Sequence, residues 1–497
     1  MTASSGELFD LAIIGGGING CGIARDAVMR GLSVVLIERD DFGSGTSGRS
    51  SRLIHGGIRY LEQAQLHLVH ESIRERQTLL RIAPHLVEPL AFTWPIYRGA
   101  RIGKFKLNAG LLVYQLMAAG RSRRHSSLNA AETLEREPGL RSAGLTAGAV
   151  YYDACTDDAR LTIANAIAAR KLGASVMNHT EVVEMIRERG KAAGVVARSS
   201  HSGERRSVRA RVVANATGVW QNVFDDDQRS RRLRGSKGVH IGVPRERLGN
   251  RDALTLTSPI DGRVMFCLPA GPQAIVGTTD TWTDESPETV HASPADVDYL
   301  LRSVNSYFPR AELTAADVVS AWAGIRPLAS GPAANPGAVS REHSILTDPS
   351  GVINITGGKL TTYRSMAAEV VDKVQQALGR KPRRSPTDTT ELPGADRARE
   401  IERMQREDPR LAVPLAEELP YTGAHLVWGV TMEMAQTLSD LLIRRCHLAF
   451  ETRDHGVSAA PRAADVVAPL LGWNDETKRE RLRQYGEDVG AMFAIGQ

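Results

Sequence analysis

Gly15, Gly17 and Gly20 stand in the order GxGxxG near the start of the chain. In that order the first glycine permits a tight turn and the second lets backbone approach a pyrophosphate. The third lets a helix lie close on a strand. Glu38 follows the next apolar run, placed to accept hydrogen bonds from an adenosine ribose. Ser44-Gly45-Thr46-Ser47 and Ser50-Ser51 add small donors just downstream. Two more small-residue junctions come later: Asn215-Ala216-Thr217-Gly218 after a strand-like run, and Gly357-Gly358-Lys359 before a helical stretch. Amides at the start of that helix would face the N1/O2 edge of a flavin and favour its reduced anion. No second GxGxxG occurs, so a reductase with two dinucleotide domains is excluded. Three such junctions returning to one ligand fit FAD better than NAD.

These residues need elements to hold them. Phe9–Ile14 reads as a buried strand, CGIARDAVMR as a helix ended by Gly31, and Ser33–Ile37 as a second strand closing on Glu38. That is a β-α-β unit of about 30 residues, as a parallel sheet requires. Helices are expected near Leu66–Ile82, Asp158–Leu172 and Thr361–Leu378, and short strands alternate with turns from Ala143 to Asp284. Ala210–Ala216 reads as a return to the first sheet, and Val352–Ile355 as a strand leading into Gly357. Lys381–Pro393 has three prolines and few apolar residues, the composition of a linker. Charged, helical sequence runs beyond it, and no repeat of fixed period occurs.

Composition narrows the classes. At 497 residues the chain is long enough for about three domains of ~150 residues. Hydrophobic residues make up 42% and charged residues 24%, which excludes a disordered chain, a collagen-like fibre and a coiled coil. Lys+Arg outnumber Asp+Glu by 62 to 57, a net charge of +5. That excess is too small to imply nucleic acid, and it suits an acidic small substrate or an anionic surface. Cys21, Cys155, Cys267 and Cys446 lie far apart without a CxxC pair. Neither a metal site nor a disulfide framework is expected, and a reducing compartment is. The first ten residues, MTASSGELFD, lack the basic-then-apolar pattern of a signal peptide, and no apolar run of ~18 residues predicts a membrane span.

Across Phe9–Met366 the chain resembles the FAD-dependent glycerol-3-phosphate dehydrogenases. The residues carrying the resemblance are IIGGGINGCGIARDA (13–27), RGLSVVLIERDDF (30–42), SSRLIHGGIRYLE (50–62), DDARL (157–161), NATG (215–218), KGVHI (237–241), GTTDT (277–281), GIRPL (324–328) and GGKLTTYR (357–364). The resemblance implies an α/β fold. An FAD-binding Rossmann-like domain (about 9–90, 145–235 and 340–380) would interleave with an α+β substrate domain built on an antiparallel sheet (about 91–144 and 236–339). A linker at 381–393 and a C-terminal helical domain at 394–497 complete this division. Beyond the linker only the stretch around Glu433–Arg445 looks familiar.

The activity implied is oxidation of sn-glycerol 3-phosphate to dihydroxyacetone phosphate, with non-covalent FAD and a membrane quinone as acceptor. Alternatives are an oxidase using O2, an amino-acid or amine oxidase of the same fold, and a non-catalytic flavin-bearing sensor. The family's motifs bring Arg59, Tyr60, Arg326, Arg341 and Lys359 to the substrate, and His55, His240, Arg326 and Lys359 to the chemistry. Arginine suits the phosphate through permanent, bidentate contacts, and a histidine near neutrality suits the hydroxyl proton. FAD would be held by Gly15, Gly17, Asn19, Gly20, Glu38, Arg39, Thr46, Ser47, Ser50, Ser51, His55, Gly56, Gly57, Ala216, Thr217, Gly218, Gly358, Lys359, Leu360 and Thr361. A homo-oligomer is expected, cytoplasmic or peripheral on the inner face of the cytoplasmic membrane. For the latter, Lys104-Phe105-Lys106 and Arg121-Ser122-Arg123-Arg124 bracket the apolar stretch Leu107–Gly120, a pattern that suits either an anionic lipid surface or an internal helix.

Overall fold

A computed structural model describes residues 7–61, 65–118, 123–220, 234–328 and 342–496. Leu8–Ile14 and Val34–Ile37 are rich in aliphatic residues and almost wholly buried, and they pair in parallel, Ile14 opposite Ile37. Arg205–Asn215 pairs in parallel on the other side of the first strand, Ile14 opposite Asn215. The path continues to Ile353–Gly357 at one end and Ser175–Met177 at the other, with His343–Thr347 as an antiparallel edge. The first strand thus has neighbours reached by opposite crossovers, the arrangement that opens a crevice at the carboxyl ends of the strands.

Helix Ile18–Met29 is buried along most of its length, including Cys21, Ile23, Ala24 and Ala27. It is covered by helices Asp158–Lys171 and Tyr363–Ala377, whose Ile163, Ala166, Met366 and Val370 complete this core. On the opposite face the hairpin Thr180–Glu188/Lys191–Ser199 buries Val182, Val195 and Ala197 against Phe9, Ala12 and Val35.

A second sheet is mainly antiparallel. Its path runs Thr281–Thr283, Arg234–Pro244, Gln273–Gly277, Val264–Ala270, Ala253–Thr257, Val87–Tyr97, Leu145–Thr156 and Leu53–Ile54. Ser320–Leu328 pairs with Arg234–Pro244, and Ser126–Asn129 with Leu145–Thr156. Leu53–Ile54 and Leu145–Thr156 thus pair into this sheet, although the sequence groups them with the dinucleotide segments. Alternation along a strand shows which face is apolar but not which strand lies beside it.

Residues 381–393 contain neither helix nor strand, yet they lie along helices Ile18–Met29 and Leu66–Ile82. Leu392 is buried and donates its N–H to the Ile82 carbonyl at 2.7 Å, and Arg25 donates to the Thr390 carbonyl at 2.6 Å. Helices Arg397–Glu407, Gly423–Thr431, Ala460–Leu471 and Asp475–Phe493 then form the C-terminal domain. It docks through buried charges: Arg445 and Arg444 both bond Asp41, and Arg444 also reaches Asp440, which bonds His179. Asp41, His179 and Asp440 have the types and spacing of cation ligands, but the two guanidiniums already hold the carboxylates. No helix among the described residues is long and apolar enough to cross a membrane.

Candidate functional site

A cavity of about 410 Å3 lies between the two sheets. Its first wall is mostly backbone. Gly15 has φ +102°, and a Cβ there would come 2.7 Å from the Ala216 carbonyl. A Cβ at Gly20 would fall on the Gly15 carbonyl. Both glycines let strand, helix and the 215–218 turn close up. Helix Ile18–Met29 starts at Gly17 without a side-chain cap on that residue, while Ile18 N–H donates to Ser47 Oγ at 2.9 Å. A positive helix end faced by a serine hydroxyl suits an anion.

Glu38 ends the second strand and accepts from Gly16 N–H at 2.5 Å and Asp40 N–H at 2.9 Å. Burial pushes its carboxyl up to about 7, and the two backbone donors oppose that shift. Arg39 beside it lies over Trp220 at 4.5 Å and pairs with Glu288. The junctions Ala216-Thr217-Gly218 and Gly357-Gly358-Lys359 both line the same cavity.

The second wall is made of side chains. Phe92, Trp94, Tyr151 and Phe266 give it an apolar floor, and Phe92 stacks on Tyr151 at 5.0 Å. Arg326 Nη1 lies 3.3 Å from Asp280 Oδ1, and its Nη2 donates to Thr278 Oγ1 at 3.2 Å. A Cβ on Gly238 would fall on this guanidinium, so the glycine gives it its seat. Lys359 Nζ stands 4.1 Å over the Tyr60 ring and donates to Ser72 Oγ at 3.2 Å. His240 is buried, with Nε2 2.8 Å from Ser51 Oγ and Nδ1 lacking a hydrogen-bond partner. Burial, Arg326 and Arg52 drive its pKa down to about 3, so the imidazole is neutral at pH 7.

Asp153 also lines the cavity and is buried beneath the His55-Gly56-Gly57 turn. It accepts from Gly56 N–H at 3.1 Å, from Tyr114 O–H at 2.6 Å and from Arg76. Tyr114 belongs to helix Lys104–Met117, which buries Leu107, Leu111 and Tyr114. Its other side exposes Phe105, Leu112, Val113 and Leu116.

The residues read from sequence fall as follows. Gly15, Gly17, Asn19, Glu38, Arg39, Thr46, Ser47, Ser50, Ser51, His55, Gly57, Tyr60, Ala216, Thr217, Gly218, His240, Arg326, Gly358, Lys359, Leu360 and Thr361 all line the cavity. Gly20 and Gly56 do not: Gly20 is seated on the Gly15 carbonyl, and Gly56 on the Tyr114 hydroxyl and Ile73. Both act by making room. Arg59 lies on the short turn Ile58–Leu61 with its side chain outside the described residues, and Arg341 and Arg121-Ser122 are outside them altogether. Sequence reasoning missed Asp153, Asp280, Thr278, Gly238 and the aromatic floor. Only GTTDT and KGVHI carried a signal for any of them.

The first wall therefore fits a dinucleotide: close backbone, a positive helix end and a carboxylate acceptor along one crevice. The second adds fixed cations and a neutral imidazole, suited to a small anion bearing a hydroxyl. The sequence model of the FAD dependent oxidoreductase family matches residues 10–364. That of the C-terminal domain of alpha-glycerophosphate oxidase matches 386–478. Familiarity thus extends well beyond the stretch around Glu433–Arg445 to which the sequence reading confined it. The chain is 38% identical to glycerol-3-phosphate dehydrogenase 2 of Mycobacterium tuberculosis over 94% of its length and 86% of that protein. It is 40% identical to the aerobic glycerol-3-phosphate dehydrogenase of Bacillus subtilis over 76% of its length and 69% of that protein. The Bacillus halodurans glycerol-3-phosphate dehydrogenase, crystallised with FAD, superposes with TM-score 0.78 at 29% identity, covering 99% of this chain and 97% of the other. By these matches the chain belongs to the FAD-dependent glycerol-3-phosphate dehydrogenase family.

Proposed function

We propose that the chain oxidises sn-glycerol 3-phosphate to dihydroxyacetone phosphate and passes the electrons to a membrane quinone. The observation that carries the reading is the meeting of Arg326, Lys359, Tyr60 and His240 at one glycine-lined crevice. When bound, FAD supplies a two-electron acceptor for hydride from C2 of the substrate, and in this reading it is held non-covalently. Arg326 and Lys359 hold the phosphate, joined through the family motifs by Arg59 and Arg341. Asp280 and Thr278 keep the Arg326 guanidinium from swinging, so binding costs less side-chain entropy. His55 and His240 are the candidate bases. His240 takes a proton at Nε2 only when negative charge offsets Arg326 and Arg52, and a bound phosphate dianion provides that charge. The Ser51 hydroxyl is then the bridge to Nε2.

Helix Lys104–Met117 supports quinone as acceptor. Its outer face carries Phe105, Leu112, Val113 and Leu116 beside Lys104 and Lys106, which suits an anionic lipid surface on the inner side of the cytoplasmic membrane. A second reading, oxygen as acceptor, is favoured by the C-terminal match to an oxidase domain. Anaerobic addition of glycerol 3-phosphate should bleach the flavin band, and a soluble quinone analogue should restore it. Failure to bleach overturns the substrate. Stoichiometric hydrogen peroxide under air selects oxygen. Binding to anionic vesicles that salt weakens, and that Leu112→Asp with Leu116→Asp abolishes, supports the surface. Absence of binding at low salt removes it.

A further inference from the structure

The C-terminal domain reaches the wall of the cavity through a stack of rings. His240 and Trp322 are directly paired across the antiparallel strands Arg234–Pro244 and Ser320–Leu328. Their rings stack at 5.3 Å with planes 13° apart. Behind Trp322 stands Phe450 of the C-terminal domain, edge-on at 5.1 Å and 87°. Phe493, near the end of helix Asp475–Phe493, backs Phe450 at 5.0 Å. Gln273 Nε2 donates to the Phe450 carbonyl at 2.8 Å, which ties its backbone to the second sheet.

Arg52 runs alongside this stack. Its guanidinium carbon lies 4.7 Å over Phe450 and 5.9 Å over Trp322. Its Nη1 is 3.2 Å from His447 Nδ1, which must be the acceptor because a guanidinium only donates. His447 Nε2 then faces Asp157 at 3.3 Å. Arg52 follows Ser51, the residue that bonds His240.

We infer that Phe450 and His447 are positioning residues for the Ser51–His240 pair, acting through Trp322 and Arg52. This rests on the proposed role of His240 in taking the substrate proton. Phe450 closes the space behind Trp322, so the imidazole cannot rotate away from the cavity. His447 fixes the Arg52 side chain, and with it the turn that presents Ser51. Rings packed at van der Waals distance give way little, and loss of one leaves a gap into which its neighbours tilt.

The test uses the FAD-loaded enzyme with two readouts: carbethoxylation of His240 by diethyl pyrocarbonate, followed by mass spectrometry, and anaerobic flavin reduction by glycerol 3-phosphate. In the wild type both His240 nitrogens are shielded, so labelling is slow. Phe450→Ala should raise labelling severalfold and slow reduction about tenfold, the scale of a small misplacement. Phe450→Leu should fall between. Val467→Ala, a buried C-terminal core change outside the stack, should move neither readout. If Phe450→Ala does not fold, Phe450→Leu and Trp322→Phe decide by the same measures. Unchanged His240 labelling in a folded Phe450 variant overturns the inference, and so does an equal rise in Val467→Ala. Labelling needs no substrate, so failure of wild-type reduction would sink the reading of the reaction and leave this inference to be judged on labelling alone.

Discussion

The two walls of the cavity are built on opposite plans. The first works by what is missing: Gly15 and Gly20 lack the Cβ atoms that would strike the Ala216 and Gly15 carbonyls, and the ligand meets backbone. The second works by what is present: Arg326, Lys359, His240 and the rings of Phe92, Trp94 and Tyr151. Thr278 and Asp280 hold Arg326, Tyr60 and Ser72 hold Lys359, Trp322 backs His240, and paired strands set the rings. A wall of absences fails as a whole when one atom is added. A wall of side chains loses one contact at a time, so its variants should grade.

Gly15→Val gives the largest expected effect. It adds a branched side chain at φ +102° with the Ala216 carbonyl 2.7 Å from its Cβ. Backbone strain and overpacking together cost of order 3–5 kcal/mol. Purified protein should contain essentially no flavin and melt earlier. Full FAD loading would show that the first wall tolerates filling and would erase the contrast.

Arg326→Ala comes next and should leave FAD content intact. Loss of a charge-assisted contact to phosphate is worth about 1.5–3 kcal/mol, a 10- to 150-fold fall in the efficiency of flavin reduction. Gly238→Ala should give the same signature, because its Cβ would occupy the place of the guanidinium. Wild-type efficiency in both variants would move the phosphate elsewhere. The second wall thus borrows the device of the first at one position.

The first wall was legible because its parts are local. A strand, a glycine turn and a helix adjoin in sequence around Gly15–Gly20, Asn215–Gly218 and Gly357–Lys359, and each shows its geometry in a few residues. The second wall was legible only where a family motif covered it, as at Arg326 and His240. Asp153 and Asp280 look like ordinary charges until the fold brings helix residue Tyr114 to the first and strand residue Arg326 to the second. Leu111 and Leu112 sit side by side in one apolar stretch, yet the first is 1% exposed and the second 49%. Helical phase separates them, so Leu111 belongs to the core and Leu112 to the surface.

Glu38 sharpens the comparison through pH. Its carboxyl is raised by burial to about 7, above the ordinary carboxylate value of 4.5. With a folded pKa above the unfolded one, the carboxylate costs stability that appears as pH rises from about 4.5 and is complete above about 7. On the proposed reading, in which Glu38 faces the adenosine ribose, hydroxyls donating to the ionised form would recover part of that cost. FAD binding should therefore tighten about tenfold from pH 6 to pH 8 and release a proton over that range. Glu38→Gln should flatten the dependence and leave the pH profile of phosphate binding alone. A slope that survives Glu38→Gln would assign the titration to another group.

The smallest effect belongs to Tyr114, which supports the second wall from outside. Its hydroxyl donates to Asp153 at 2.6 Å, and the same carboxylate holds the Gly56 amide and Arg76. Tyr114→Phe keeps the ring and its packing while removing one donor from a buried carboxylate. Arg76 remains as counter-charge, so the loss is a single hydrogen bond to a charged group, at the low end of about 1.5–3 kcal/mol. Equilibrium denaturation of the FAD-loaded enzyme should detect that loss, with FAD content unchanged and flavin reduction within a few-fold of wild type. Tyr114→Ala would instead empty the space under Gly56 and cost about 3–5 kcal/mol, the range for deleting a large buried ring. The graded pair is what a wall of side chains predicts. Equal losses for Phe and Ala would mean that the hydroxyl alone secures the Gly56 turn, and the second wall would then share the all-or-none character of the first.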